Sequence, residues 1–179
     1  MVDNRDTTRG NIVVDASPLI YLAKLDALEV FEIGGYRPLV PGSVIDETTR
    51  PSLIYRHPDA ALIETAVGRG VIRVVALVPG EEQFAMTLSS DVPGMHRGEC
   101  EVLAVAHGRG IPAVLFERRG RAVARARRVR LLDLIEMLFD GTPEDELLER
   151  RVRRFAEQVD MRLADFEVLR ETIARRRLR

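Results

Sequence analysis

Four acidic residues stand where short apolar runs give way to polar, helix-starting sequence: Asp15 after Ile12-Val13-Val14, Glu47 after Val44-Ile45, Glu99 after Gly98, and Glu117 after Val114-Leu115-Phe116. In an open parallel α/β sheet, side chains leaving the carboxyl ends of the strands converge on one crevice, where ligands bind. Carboxylates brought together repel one another, and a divalent cation relieves that repulsion. An all-oxygen donor set selects hard ions such as Mg²⁺ or Mn²⁺. The chemistry expected of such a cluster is hydrolysis of a phosphodiester, with Asp15, Glu99 and Glu117 as metal ligands and Glu47 binding a second ion or steering the water. Ser17, two residues beyond Asp15, is of a type that orients a ligating carboxylate by hydrogen bonding.

Beside the fourth acid lies a basic stretch containing Arg118, Arg119, Arg121 and Arg125, so the net charge of −1 hides a strong local field. These four arginines are the candidate contacts to a nucleic-acid backbone, and nothing in the stretch reads bases. Three Tyr and six Phe offer no evident stacking platform for single strands. One cysteine, Cys100, excludes an internal disulfide framework. No charged-then-apolar leader and no long apolar span is evident, so a cytoplasmic protein without membrane contact is expected.

The elements that must position these groups alternate between strand and helix. Residues 11–15 form a β-branched run. Ser17 is expected to cap a helix with Pro18 in its first turn, and apolar residues at three-to-four spacing carry that helix from Leu19 to Phe31. Leu39-Val40 is a brief strand, and Ser43 with Asp46 resembles a capping box opening the helix of Glu47. A helix follows over 58–68, then a strand over 71–75, a short helix over 81–87 and a loop over 89–97. Glu99 opens a helix that ends at Gly110. Glu101, two residues further along that helix, points away from Glu99 and is expected in solvent. Residues 112–116 read as a strand covered on both faces, followed by a basic helix over 120–128, a strand over 129–132 and a helix over 134–139. The alternation predicts a doubly wound parallel α/β sheet flanked by helices over residues 1–141. A helical extension over 142–179 carries apolar stripes (Leu147, Leu148, Val152, Phe155, then Leu163, Phe166, Leu169, Ile173) that must cover the parent domain or a second subunit.

At the level of motifs, residues 12–23 (Ile-Val-Val-Asp-Ala-Ser-Pro-Leu-Ile-Tyr-Leu-Ala) resemble the opening of PIN-domain proteins, whose first strand ends in Asp followed two residues later by Ser or Thr. Val40 to Glu47 is similar to the second motif, with Glu47 at its acidic position. Gly98-Glu99-Cys100-Glu101 resembles the Gly-Glu-x-Glu third motif of a toxin-like branch, which puts Glu99 at a metal-ligand position and Glu117 at the fourth acidic one. The resemblance spans about residues 11 to 140. It implies a PIN-like fold and an Mg²⁺- or Mn²⁺-dependent endoribonuclease acting on RNA. It also implies the toxin of a toxin–antitoxin pair, with an antitoxin protein as partner and a homodimer as the assembly.

A second reading follows from two departures. Glu99 and Glu117 stand where the wider family usually has Asp, and Phe116 occupies a site that is often polar or acidic in relatives. On that reading the chain is a catalytically degenerate module that binds RNA or a protein partner. A third, a phosphotransfer domain using Asp15 as nucleophile, lacks both an Asp-x-Asp arrangement after the first strand and a lysine opposite it.

Overall fold

Strand β1 (Gly10–Val14) is an inner strand of the sheet because its last three side chains are apolar: Ile12, Val13 and Val14 are all buried. The computed structural model describes residues 10–50, 57–161, 166–168 and 171, and these form a parallel four-stranded sheet. Its other strands are β2 (Tyr36–Pro41), β3 (Arg73–Val75) and β4 (Ala113–Val114), in the order β3-β2-β1-β4. Val13 pairs with Leu39 on one side and with Ala113 on the other. The chain thus builds outward from β1 to β3 and then returns to add β4 on the opposite flank. That reversal lies between β1 and β4, and the crevice beyond the carboxyl ends of those two strands is where an α/β sheet binds its ligand.

The helices are α1 (Ala16–Lys24), α2 (Val30–Ile33), α3 (Gly42–Thr48), α4 (Pro58–Gly68), α5 (Pro79–Asp91), α6 (Arg97–Arg109), α7 (Arg118–Ala126), α8 (Leu134–Gly141) and α9 (Asp145–Gln158). Helix α6 is the central one, with every residue from Gly98 to Ala106 buried. Its run of Val, Leu and Ala lets it lie close over the sheet.

Several local expectations change. The single helix expected over 19–31 is two, α1 and α2, because Asp26 adopts a left-handed conformation (φ 50°) that breaks the helical ladder. Helix α1 starts at Ala16, so Asp15 occupies the cap position expected of Ser17. Helix α5 absorbs residues 89–91, which read as loop, since Leu88 is fully buried and carries the helix past the polar Ser89-Ser90. The strand expected over 129–132 is reduced to a single parallel bridge between Ala113 and Leu131. Around it, the Ala113 N–H donates to the Arg130 carbonyl (2.9 Å) and the Leu132 N–H to the Ala113 carbonyl (3.0 Å).

The first amphipathic stripe of the carboxyl-terminal region covers the parent domain. Leu148, Val152 and Phe155 of α9 are buried, and Phe155 meets Tyr21 (5.5 Å) and Phe116 (6.1 Å) edge-on. Tyr21 and Phe116 are themselves 4.9 Å apart. Phe116 is therefore a packing residue that joins the end of the β4 region to α1 and α9. Arg151 fastens the same helix: its buried guanidinium donates to the Asp26 carbonyl, to Glu29 and to Thr142 Oγ1 (3.0 Å). Of the second stripe, Phe166 packs against the core, whereas Leu163, Leu169 and Ile173 lie outside the described residues. No helix among the described residues is long and apolar enough to cross a membrane.

Candidate active site

Four elements deliver the four acids to the crevice. Asp15 follows the last residue of β1, and its N–H continues the sheet by donating to the Val114 carbonyl (3.1 Å). Glu117 sits at the cap position of α7, just past β4, and is exposed. Glu47 projects from α3, which follows β2 without a loop, and is also exposed. Glu99 lies in the first turn of α6 and is only 5% exposed.

Two glycines explain how the acids come so close. A Cβ on Gly98 would stand 3.1 Å from Val44 Cγ2, 3.6 Å from Glu47 Oε2 and 3.7 Å from Asp15 Oδ1. Glu47 and Asp15 thus face one another across a space of about one methyl group, which the missing side chain keeps open. A Cβ on Gly120 would stand 2.7 Å from Glu99 Oε1, closer than packed atoms approach. Gly120 therefore lets α7, with Glu117 at its head, lie against the Glu99 carboxylate.

The electrostatics follow from this crowding. The Asp15 carboxyl is pushed up from 3.8 to about 7, first by burial and then by the negative charges of Glu99, Glu47 and Glu117, against a lowering by the Ala16 backbone N–H. The mutual repulsion expected from the sequence thus falls on Asp15, with desolvation the larger cause. Glu99 Oε2 accepts from the His96 N–H (3.1 Å), while Glu99 Oε1 is buried with no hydrogen-bond partner among the described residues. A buried carboxylate oxygen without a donor is costly.

Among the described residues, no three His, Cys, Asp or Glu side chains are already drawn together as a metal-binding set. The donor chemistry nonetheless suits a hard divalent cation: carboxylates only, one of them with a buried oxygen that no described residue bonds and another raised to about 7, first by burial and then by its acidic neighbours.

The remaining candidates are distributed around this centre. Ser17 lies half-buried in the first turn of α1. Arg119 donates to the Pro93 carbonyl (2.7 Å), and Arg121 donates to the Leu115 carbonyl (3.0 Å) and pairs with Asp133 (3.3 Å). Arg118 and Arg125 are exposed on α7, with no ion pair among the described residues. Glu117 likewise makes no ion pair with its arginine neighbours among the described residues.

Two residues depart from their expected roles. Glu101 is buried, 8% exposed, rather than solvated. Ser43 does not cap α3, which starts at Gly42, but donates to Glu101 Oε2 at 2.5 Å. Sequence reasoning also passed over Gly98 and Gly120 as determinants of the site, although a glycine one residue before Glu99 and another three residues after Glu117 are a visible signal of close approach. A cleft of about 790 Å³ opens on the other side of the α3–α6 contact, lined by Val74, Leu77 and Met86 among apolar groups and by Ser43, Arg97 and Glu101 among polar ones. None of the four acids lines it.

Comparison with known proteins agrees with this architecture. No curated protein matches the chain in sequence. Seven chains of solved structures match it. One is the crystal structure of PAE2754 from Pyrobaculum aerophilum, with a TM-score of 0.50 and 18% identity, the match covering 75% of this chain and 98% of that one. At that identity the likeness concerns the fold. A family model described as the PIN domain matches residues 11–168, and so extends past the motifs to include α9. With the strand order, the acids at the reversal between β1 and β4 and a match over most of its length, the chain belongs to the PIN-domain family.

Proposed function

We propose that this chain is a divalent-metal-dependent endoribonuclease, the finer activity within a family whose members are generally nucleases and usually use divalent metals. The observation that carries the reading is the bare, buried Oε1 of Glu99 beside an Asp15 carboxyl held near neutrality by burial and by three other acids. Asp15, Glu99 and Glu117 would hold Mg²⁺ or Mn²⁺, which when bound activates water and offsets charge on the phosphate under attack. Glu47, across the Gly98 gap from Asp15, would bind a second ion or orient the attacking water. Ser17 steadies the Asp15 side of the cluster. The exposed Arg118 and Arg125 hold the RNA backbone by charge, with Arg119 and Arg121 shaping the same helix face. The Gly-Glu-x-Glu resemblance supports the further reading of a cytoplasmic toxin with an antitoxin partner, working as a homodimer. Phe116 does not argue for a spoiled site, since its ring packs between Tyr21 and Phe155.

The test pairs Mn²⁺ titration with cleavage of a mixed RNA by wild type and Asp15→Asn. Wild type is expected to bind Mn²⁺ and cut RNA, and Asp15→Asn to lose at least about 100-fold of both. Cleavage that survives chelator, or that is equal in the two proteins, overturns the reading. RNA binding that is sensitive to salt but indifferent to chelator, with no cleavage, would establish the binding module instead.

A further inference from the structure

Two carboxylates two residues apart on α6 serve opposite sides of the helix. Glu99 faces Gly120 and the cluster, and Glu101 faces α3. Glu101 is 8% exposed, and a carboxylate so deeply placed is tolerated only with strong donors. It has two: the Ser43 hydroxyl donates to Oε2 at 2.5 Å, and the Arg97 Nε donates to Oε1 at 2.7 Å. Arg97 is 83% exposed and on the same helix, so its ion pair contributes little. Ser43 is the partner that matters, because it lies 58 residues away and belongs to α3, four residues before Glu47.

The Ser43–Glu101 bond therefore ties together two helices that have reason to separate. Helix α3 brings Glu47 and helix α6 brings Glu99, two carboxylates that both act on Asp15. At Gly98, three residues before Glu101 on α6, even an added Cβ would stand 3.1 Å from Val44 Cγ2 and 3.6 Å from Glu47 Oε2 of α3, so the bond closes the same close approach one turn further on. We propose that Glu101, gripped by Ser43, is a positioning residue that holds α3 against α6 and so sets the separation of Glu47 from Glu99. This rests on the nuclease reading above. It assigns the second glutamate of the Gly-Glu-x-Glu segment a task in the site without contact with metal or RNA.

The experiment uses the full chain as wild type, Ser43→Ala, Ser43→Thr and Glu101→Gln, with Glu82→Gln as a control on the same cleft that leaves the clasp intact. Mn²⁺ affinity is measured by calorimetry, hydrogen exchange of the 42–48 amides without metal by mass spectrometry, and kcat and KM on RNA. The expected result is faster exchange in α3 for Ser43→Ala and Glu101→Gln, Mn²⁺ affinity and kcat lower by about tenfold, KM little changed, and a melting temperature within a few degrees of wild type. Ser43→Thr, which keeps the hydroxyl, and Glu82→Gln are expected to match wild type. If wild type binds Mn²⁺ and Ser43→Ala and Glu101→Gln bind it equally well, the positioning role is overturned while the nuclease reading stands. If wild type binds no Mn²⁺, the nuclease reading falls, and the pair is left as a structural tie between helices.

Discussion

Glu81 and Glu99 are the same local device used in two regions. Each is the third residue of a helix, each turns back so that Oε2 accepts the N–H three residues earlier (Val78 at 3.0 Å, His96 at 3.1 Å), and each is at most 5% exposed. They part company at the other oxygen. Glu81 Oε1 meets Arg109 Nε at 2.7 Å while a second Arg109 nitrogen reaches Glu81 Oε2 at 2.9 Å, and this pairing holds its carboxyl below the usual range. Glu99 Oε1 meets no donor among the described residues and faces the bare Cα of Gly120. One carboxylate is a finished structural joint, and the other keeps a buried oxygen with no donor among the described residues. Burial and helix position alone do not distinguish the two, and the neighbour brought by the fold does.

The comparison can be broken at several points, of which pH has the largest effect. Because the Asp15 carboxyl is raised from 3.8 to about 7, the folded metal-free protein keeps a proton that the unfolded chain releases between those values. Stability from this group is present below about pH 4 and lost as pH rises through 7, an effect approaching about 4 kcal/mol at about 1.4 kcal/mol per unit. Chemical denaturation of metal-free protein should find Asp15→Asn more stable than wild type at pH 8 and equal to it near pH 3.5. The opposite ranking would mean that the charge on Asp15 is already well compensated. The same proton competes with a cation, so Mn²⁺ uptake should weaken as pH falls below 7.

Next in size is the contrast of partners. Arg109→Ala strands Glu81 in the interior and should cost about 3 kcal/mol in the same denaturation assay. Glu99→Gln removes a charge that has no partner and should cost less than about 1 kcal/mol without metal. Equal losses would erase the distinction between a joint and an open site. Between these two in stability is Gly120→Ala. Its methyl group must displace Glu99 Oε1, so about 1 to 2 kcal/mol of overpacking is expected, with a disproportionate fall of Mn²⁺ affinity in calorimetry. An unchanged affinity would show that the space between Gly120 and Glu99 is not where the ion sits.

Much of this molecule is legible in its residues, for reasons tied to particular segments. Ile12-Val13-Val14 reads as a short β-branched strand, and Asp15 directly after it falls at that strand's carboxyl end. Elsewhere local patterns misled because distant partners overrode them. Ser43 has the spacing of a cap, but Glu101 claims its hydroxyl. Glu101 has the polarity of a surface residue, but Ser43 and Arg97 supply donors that allow burial. Phe116 reads as a departure beside the fourth acid and is ordinary beside Tyr21 and Phe155. The polar end of α5 reads as loop until Leu88 is seen in the core.

By itself, then, the chain's order of residues determined the alternation of strands and helices and the identity of the acids at their ends, because periodicity and side-chain chemistry are local properties. Only the tertiary structure decided which carboxylates are quenched and which remain open. That outcome depends on whether an arginine, a serine or the empty face of a glycine arrives opposite each oxygen, and those neighbours come from residues tens of positions away.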